Sequence, residues 1–164
     1  MTELVEAEMS STAGVYGRAT LNDEAAHSIA EMHHAIDAVG PPAQTRRLLA
    51  AHSALRTCAD ASEELFECQC TTAVGDLVNV TRTALCLLEI TLCELFTSWG
   101  ARTPAPPVTH RWGAETVLHE LAVPLLRLGN LLWTEASSSR IRYVSEQVQR
   151  VAGDTLALTT KPRH

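Results

Sequence analysis

Residues 74 to 99 read VGDLVNVTRTALCLLEITLCELFTSW, and this stretch decides the fold. Mostly apolar side chains return at alternating steps of four and three along it: Val74, Val78, Thr81, Leu85, Leu88, Leu92, Leu95 and Trp99. Such a seam is typical of helices in bundles and coiled coils. Val80, Leu87 and Ile90 lie off the seam, which gives the helix a second apolar side. We therefore expect this helix to be central or to face a partner subunit.

The chain before this helix predicts two more helices. Thr20 or Asn22 can cap a first helix. The GPP at residues 40 to 42 ends this helix and starts the next one. The second helix is expected over residues 42 to 70. A short break at residues 71 to 75 should separate it from the third helix, because a threonine that can cap a helix and a glycine occur there, although no proline does.

The chain after residue 99 predicts a crossover and two helices. Residues 100 to 111 are rich in proline and long enough to carry the chain along the bundle. A fourth helix is expected over residues 112 to 135, where Pro124 should kink it or split it into two pieces. The serines at 137 to 139 can cap a fifth helix. Its seam consists of Ile141, Val144, Val148, Val151, Thr155 and Leu158.

These elements predict an all-α fold in a single domain. We expect an antiparallel bundle of about five helices, made of a four-helix core and one short helix. Residues 20–160 would form the bundle, and residues 1–19 would be a mobile N-terminal arm. A length of 164 residues suits one domain with its own core.

Charge and composition argue against nucleic-acid binding and against a membrane or secreted protein. The net charge of −6 gives no broad positive field, so we expect no nucleic-acid binding. No apolar run is long enough to span a bilayer, and the N-terminus carries Glu3, Glu6 and Glu8 where a secretory signal needs positive charge. We expect a cytoplasmic protein without membrane contact. Its five cysteines are then expected to be reduced thiols.

Two Glu-x-x-His pairs occur in the first predicted helix. Glu24, His27, Glu31 and His34 share one face, which lies nearly opposite the apolar stripe of that helix and should point to water. Glu31-x-x-His34 resembles the ligand element of ferritin-like di-iron bundles, a resemblance that implies ligands projecting inward from four helices. A second element of that spacing is missing from the later helices. The four residues are therefore candidates only for a surface zinc or nickel site, and no cofactor is expected.

Cysteines form two further groups. Cys68 and Cys70 would point in nearly opposite directions on a helix and could share a metal only if the helix ended there. Core or surface thiols are the expected roles. Cys86 and Cys93 share a face with Glu89, and we expect them to be buried thiols that pack on a neighbouring helix.

Arg47 and His52 are separated by four residues, LLAA. This Arg-x4-His pattern is similar to that of HEPN-type RNases, which are small dimeric helical bundles. The resemblance implies RNA cleavage with His52 as a base. This sequence departs from the family in two respects, because Leu48 follows the arginine where a polar residue is usual and because the motif lies on the second helix. His52 falls on the apolar stripe, so it can equally be a core histidine.

The leading functional hypothesis is a non-enzymatic interaction protein that forms a homodimer or binds another protein. Its surfaces would be the second apolar side of the third helix and the seam of the fifth. One alternative is a ligand- or metal-binding bundle, whose pocket would be lined by His52, Trp99, Trp112 and Trp133. A HEPN-like RNase is the other. No serine–histidine–aspartate order or paired-carboxylate pattern adds a catalytic mechanism.

Overall fold

The structure is a computed structural model that describes residues 13–40, 42–95 and 113–160. Those ranges contain five helices and no strand: α1 Ala13–Asp37, α2 Ala43–Cys68, α3 Thr72–Leu95, α4 Ala114–Thr134 and α5 Ser139–Thr159. The all-α bundle predicted from the sequence is confirmed. None of the described helices is long and apolar enough to cross a membrane.

The ends of α1 and α2 follow the expected local signals, with one exception. Gly40 adopts a φ of 89°, a left-handed conformation that favours glycine, and this turns the chain between the two helices. Gln69, at φ −130° and ψ 83°, ends α2, and the Thr71 hydroxyl accepts a hydrogen bond from the N–H of Val74 at the start of α3. The predicted short break is therefore confirmed. The exception is the start of α1 at Ala13, which places residues 13–19 in the helix and not in an arm.

Two predictions about the later helices need correction. Of the two effects expected of Pro124, a kink or a split, the split is wrong, because α4 continues unbroken from Ala114 to Thr134 with the proline inside it. Proline has no backbone N–H, so the carbonyl of Glu120, an exposed residue, lacks its usual helical donor. The expected single short helix is not found among the described residues, because each of the five helices has at least 21 residues. The predicted serine cap of α5 is confirmed, since the Ser138 hydroxyl accepts from the N–H of Ile141.

The direction of each helix follows from contacts at one end of the bundle. Arg47 near the start of α2 pairs with Glu135 just after α4, and Arg140 at the start of α5 pairs with Glu94 near the end of α3. The C-terminal ends of α1, α3 and α4 therefore lie together, and α3 runs parallel to α4. A chain joining parallel helices must travel the length of the bundle, as the crossover prediction requires. Residues 96–112, which make that connection, lie outside the described residues.

The centre of the bundle is formed by α2 and α4, not by α3. α2 packs on α1, α3 and α4, whereas α4 packs on α1, α2 and α5, and α3 also packs on α5. The expected central place of the third helix is therefore wrong. α2 can take this place because small residues let its neighbours approach closely on several sides; they are Ala50, Ala51, Ala54, Ala59 and Ala61. Between α1 and α2, the Ser28 hydroxyl hydrogen bonds with those of Ser53 (2.9 Å) and Thr57 (3.1 Å).

Candidate functional site

The outer face of α3 carries a row of exposed side chains in heptad spacing. Steps of four, three, four and three connect Asn79, Thr83, Cys86, Ile90 and Cys93, and all five are exposed. We name this row the α3 strip. It lies opposite the buried side of the helix, where Thr81, Leu88 and Leu92 enter the core. Ile90 is 44% exposed, so the C-terminal half of the strip presents an isoleucine between two thiols.

Ion pairs border the α3 strip on both sides. Towards α2, Arg82 pairs with Glu63, to which its Nε donates at 2.7 Å. Towards α5, Glu94 pairs with Arg140. These ion pairs connect α3 to its neighbouring helices. The strip between them has no charged side chain. An uncharged centre with a charged rim is the usual anatomy of a protein–protein interface.

His52 lies at the α2 edge of the same surface. The residue is buried, and its Nε2 lies 3.1 Å from Oε1 of Glu89 on α3, whose carboxylate is half-exposed. The sequence places His52 on an apolar stripe and Glu89 on another helix, and no local pattern connects the two. The pair joins α2 to α3 and fixes the orientation of the imidazole. This contact is consistent with the core-histidine interpretation.

Arg47 contacts other helices than His52 does. Its side chain is 4% exposed, and its guanidinium donates to the carbonyls of Ala35 (3.1 Å) and Ala38 (3.0 Å) and pairs with Glu135. A cation is favourable there because carbonyl groups concentrate negative charge at a helix C-terminus. Arg47 thus contacts the ends of α1 and α4, whereas His52 contacts α3. The structure does not direct the two side chains of the Arg-x4-His motif to a common site.

The Glu-x-x-His face of α1 differs from its prediction. His27 is 7% exposed, not open to water, although His34 is exposed as expected. The reason is that α1 packs on both α2 and α4, so its buried surface is wider than its apolar stripe. His27 Nε2 lies 2.6 Å from Glu31 Oε1 without the alignment of a hydrogen bond. Among the described residues, no group of three or more His, Cys, Asp or Glu is placed to hold a metal ion.

The buried-thiol prediction is wrong for Cys86 and Cys93, both of which are exposed on the α3 strip. Helical periodicity places them on one face, but which face is covered depends on where α2 and α5 pack. Cys68 and Cys70 are exposed at the end of α2, which finishes at Cys68. Cys58, within α2, is the buried thiol.

Burial gives Cys58 a testable chemical signature. Desolvation raises the pKa of its thiol from 9.0 to about 12, because the thiolate is disfavoured in an apolar interior. We expect a thiol-alkylating reagent at pH 8 to modify Cys68, Cys70, Cys86 and Cys93 in the native protein and to spare Cys58 until urea is added. Because the unfolded thiol ionises first, stability from this group is fully present below pH 9.0 and decreases as the pH rises towards about 12. Alkylation of Cys58 at the rate of the other four would contradict its burial.

Trp133 is the tryptophan of the predicted pocket that lies within the described residues. Trp133 is 41% exposed on the surface between α4 and α5, where Arg142 lies over its ring at 5.3 Å from the centroid. Its Nε1 donates to Oε1 of Glu146 at 3.4 Å. His52, the other described candidate, contacts Glu89 on α3. Trp99 and Trp112 lie outside the described residues.

The seam of α5 is also unavailable as a docking surface. Five of its six members, Ile141, Val144, Val148, Val151 and Thr155, are buried within the bundle, and Leu158 is partly buried against the core. Comparison of the chain with protein-family models, with curated proteins and with solved structures finds no match.

Proposed function

We propose that this protein is a non-enzymatic interaction protein that self-associates through the α3 strip. The observation that carries the proposal is the exposed Ile90 between two exposed thiols, within an unbroken heptad row on the side of α3 that faces away from the core. A single exposed apolar residue is ordinary on a protein surface. Here the isoleucine lies in a row whose other members are uncharged, so a second helix can lie along the row without burying a charged side chain of the strip.

The charges around the strip support the same proposal. Arg82, Glu89 and Glu94 each have a partner on a neighbouring helix of their own chain. The strip therefore does not offer a row of unsatisfied charge that would select a strongly charged partner. Exposed thiols stay reduced in a reducing compartment, so a cytoplasmic location is part of the proposal.

Substitution of Ile90 by aspartate tests this proposal. We expect the wild-type protein to show a concentration-dependent dimer in sedimentation velocity and native mass spectrometry under reducing conditions. Ile90→Asp should raise the dissociation constant roughly a hundredfold, because each copy loses about 1–2 kcal/mol of apolar burial and gains a buried charge.

A matched control comes from α4. Val123 is 51% exposed and lies on a different face of the bundle, so Val123→Asp introduces the same charge at a similarly exposed apolar position. This variant should dimerise like the wild type. Equal effects of the two substitutions would show that net charge, not the α3 strip, controls association. A wild-type protein that stays monomeric at high concentration would overturn the proposal.

A further inference from the structure

The junction between α2 and α3 carries two exposed cysteines, Cys68 and Cys70, on either side of Gln69. On a continuous helix, side chains two residues apart point about 200° away from each other, so the two thiols could not meet. The structure removes that obstacle. α2 ends at Cys68 and α3 begins at Thr72, so Gln69 and Cys70 lie in the connection between the helices.

The backbone of this connection brings the two cysteines together. Gln69 has a φ of −130° and a ψ of 83°, and side chains on either side of a nearly extended residue point to the same side of the chain. Even in a fully extended chain, Cα atoms two residues apart are separated by at most ~7 Å. The ψ of Gln69 is smaller than the value of about 135° in an extended strand, which shortens that separation. It therefore falls towards the range of about 4.4–6.8 Å in which a disulfide can close.

We propose that Cys68 and Cys70 form a redox-active dithiol, which reacts with small disulfides of the glutathione type and closes a disulfide within the chain. The ring does not require the self-association proposed above. With one residue between them, the two thiols meet at an effective concentration of millimolar order or higher. A thiol on a second protein molecule at micromolar concentration is a much weaker competitor.

The exchange takes place in two displacement steps. The thiolate of one cysteine attacks a sulfur of the small disulfide, which forms a mixed disulfide and expels one small thiolate. The thiolate of the other cysteine then attacks the protein sulfur of the mixed disulfide and expels the second small thiolate. Two protein thiols are oxidised and one small disulfide is reduced to two thiols. The two protons that the cysteines lose are taken up by the expelled thiolates.

The surroundings of the pair allow this reaction on the folded protein. Every residue from 66 to 73 is exposed, so a small disulfide in solution can reach both cysteines. Leu65 and Val74 are buried on either side and hold the ends of α2 and α3 in the core while the connection changes shape. An exposed disulfide in so short a ring is readily reduced again. The bond is therefore reversible, as is usual for disulfides in reducing compartments.

Two other cysteines of the same protein serve as the internal control. Cys86 and Cys93 are also exposed, but they are seven residues apart on α3, which separates their Cα atoms by about 10.5 Å at about 1.5 Å per residue. A separation above ~7 Å excludes a disulfide between them. At protein concentrations too low for association, Cys86 and Cys93 should accumulate mixed disulfides with glutathione, whereas Cys68 and Cys70 should close their ring.

The test is equilibration of the full-length protein, at low micromolar concentration, with glutathione and its disulfide, followed by acid quenching and peptide mass mapping. We expect the peptide that contains Cys68 and Cys70 to be lighter by two hydrogen atoms and to carry no glutathione. Cys68→Ser and Cys70→Ser should each lower the yield of this species at least about tenfold and trap glutathione on the remaining cysteine. Cys86→Ser should leave the yield unchanged. Excess reduced glutathione should restore both thiols.

Three outcomes would overturn the proposal. Glutathione on both Cys68 and Cys70, without a ring, would show that the backbone holds the thiols apart. Covalent dimers through either cysteine would show that exchange occurs between chains. A ring that excess reduced glutathione does not open would be a structural disulfide and not a redox-active one. Sedimentation of the reduced protein tests the α3 strip separately, because Cys68 and Cys70 lie outside it.

Discussion

Replacement of Arg47 by methionine is expected to lower the free energy of unfolding by about 3–4 kcal/mol, the largest effect we predict for a single side chain. The guanidinium is buried and is the hydrogen-bond donor to the Ala35 and Ala38 carbonyls at the end of α1. Methionine has similar length but no donor. The two carbonyls would lose this donor, and the helix end would lose its cation.

The neighbouring arginine supplies the control for this measurement. Arg46 is exposed on the same helix, so Arg46→Met removes the same charge without disturbing a buried contact. Its effect should stay within about 0.5 kcal/mol. Urea unfolding of both variants, compared at equal m-values, measures the difference. An Arg47→Met protein as stable as Arg46→Met would show that Arg47 does not hold α1 to the bundle.

Gly129→Val is expected to lower the free energy of unfolding by about 3 kcal/mol. At Gly129, α4 lies close against α5. A Cβ at this position would lie 3.0 Å from Cγ of Gln149, 3.2 Å from Cγ1 of Val148 and 3.3 Å from the backbone nitrogen of Gln149. The Gln149 side chain can move, but its backbone can move only with α5. Valine adds two methyl groups beyond that Cβ and should push the two helices apart.

Gly153 provides a matched glycine on α5. A Cβ built there meets no atom within 4 Å, so Gly153→Val has space for its side chain. Valine also has a somewhat higher helix propensity than glycine. The Gly153 variant should therefore unfold at the wild-type urea concentration or slightly above it, whereas the Gly129 variant should unfold at a much lower one. Equal midpoints for the two variants would refute close α4–α5 packing at Gly129.

The functional surface could be predicted only in part. The sequence shows that Ile90 lies off the main seam of its helix, and this is the feature that first indicates an exposed apolar side. It does not show that Cys86 and Cys93 are exposed, because periodicity gives the angle between side chains and not which side a neighbour covers. The Glu89–His52 contact was not predictable either. It joins residues 37 positions apart on two helices, and no local rule fixes their relative rotation.

What the sequence determined by itself is local. Seams of apolar residues at steps of three and four identify the helices, and Gly40, Thr71 and Ser138 mark where they end or begin. These signals are readable because hydrogen bonding and side-chain periodicity act within about one helical turn. The proline-rich segment after α3 likewise predicts a long connection. The ion pairs that place the C-terminal ends of α3 and α4 together show that these two helices run parallel, which such a connection allows.

Only the tertiary structure decided which helices are central and what each polar side chain does. α2, not α3, takes the centre because its small residues allow three helices to approach it. The same packing buries His27, which lies on a helix face that periodicity predicts to be exposed. It also places the Arg47 side chain where it hydrogen bonds with the end of α1. Burial and ion pairing depend on the surfaces of several helices together. Their free energies are therefore set by the assembled bundle and not by the order of residues along any one helix.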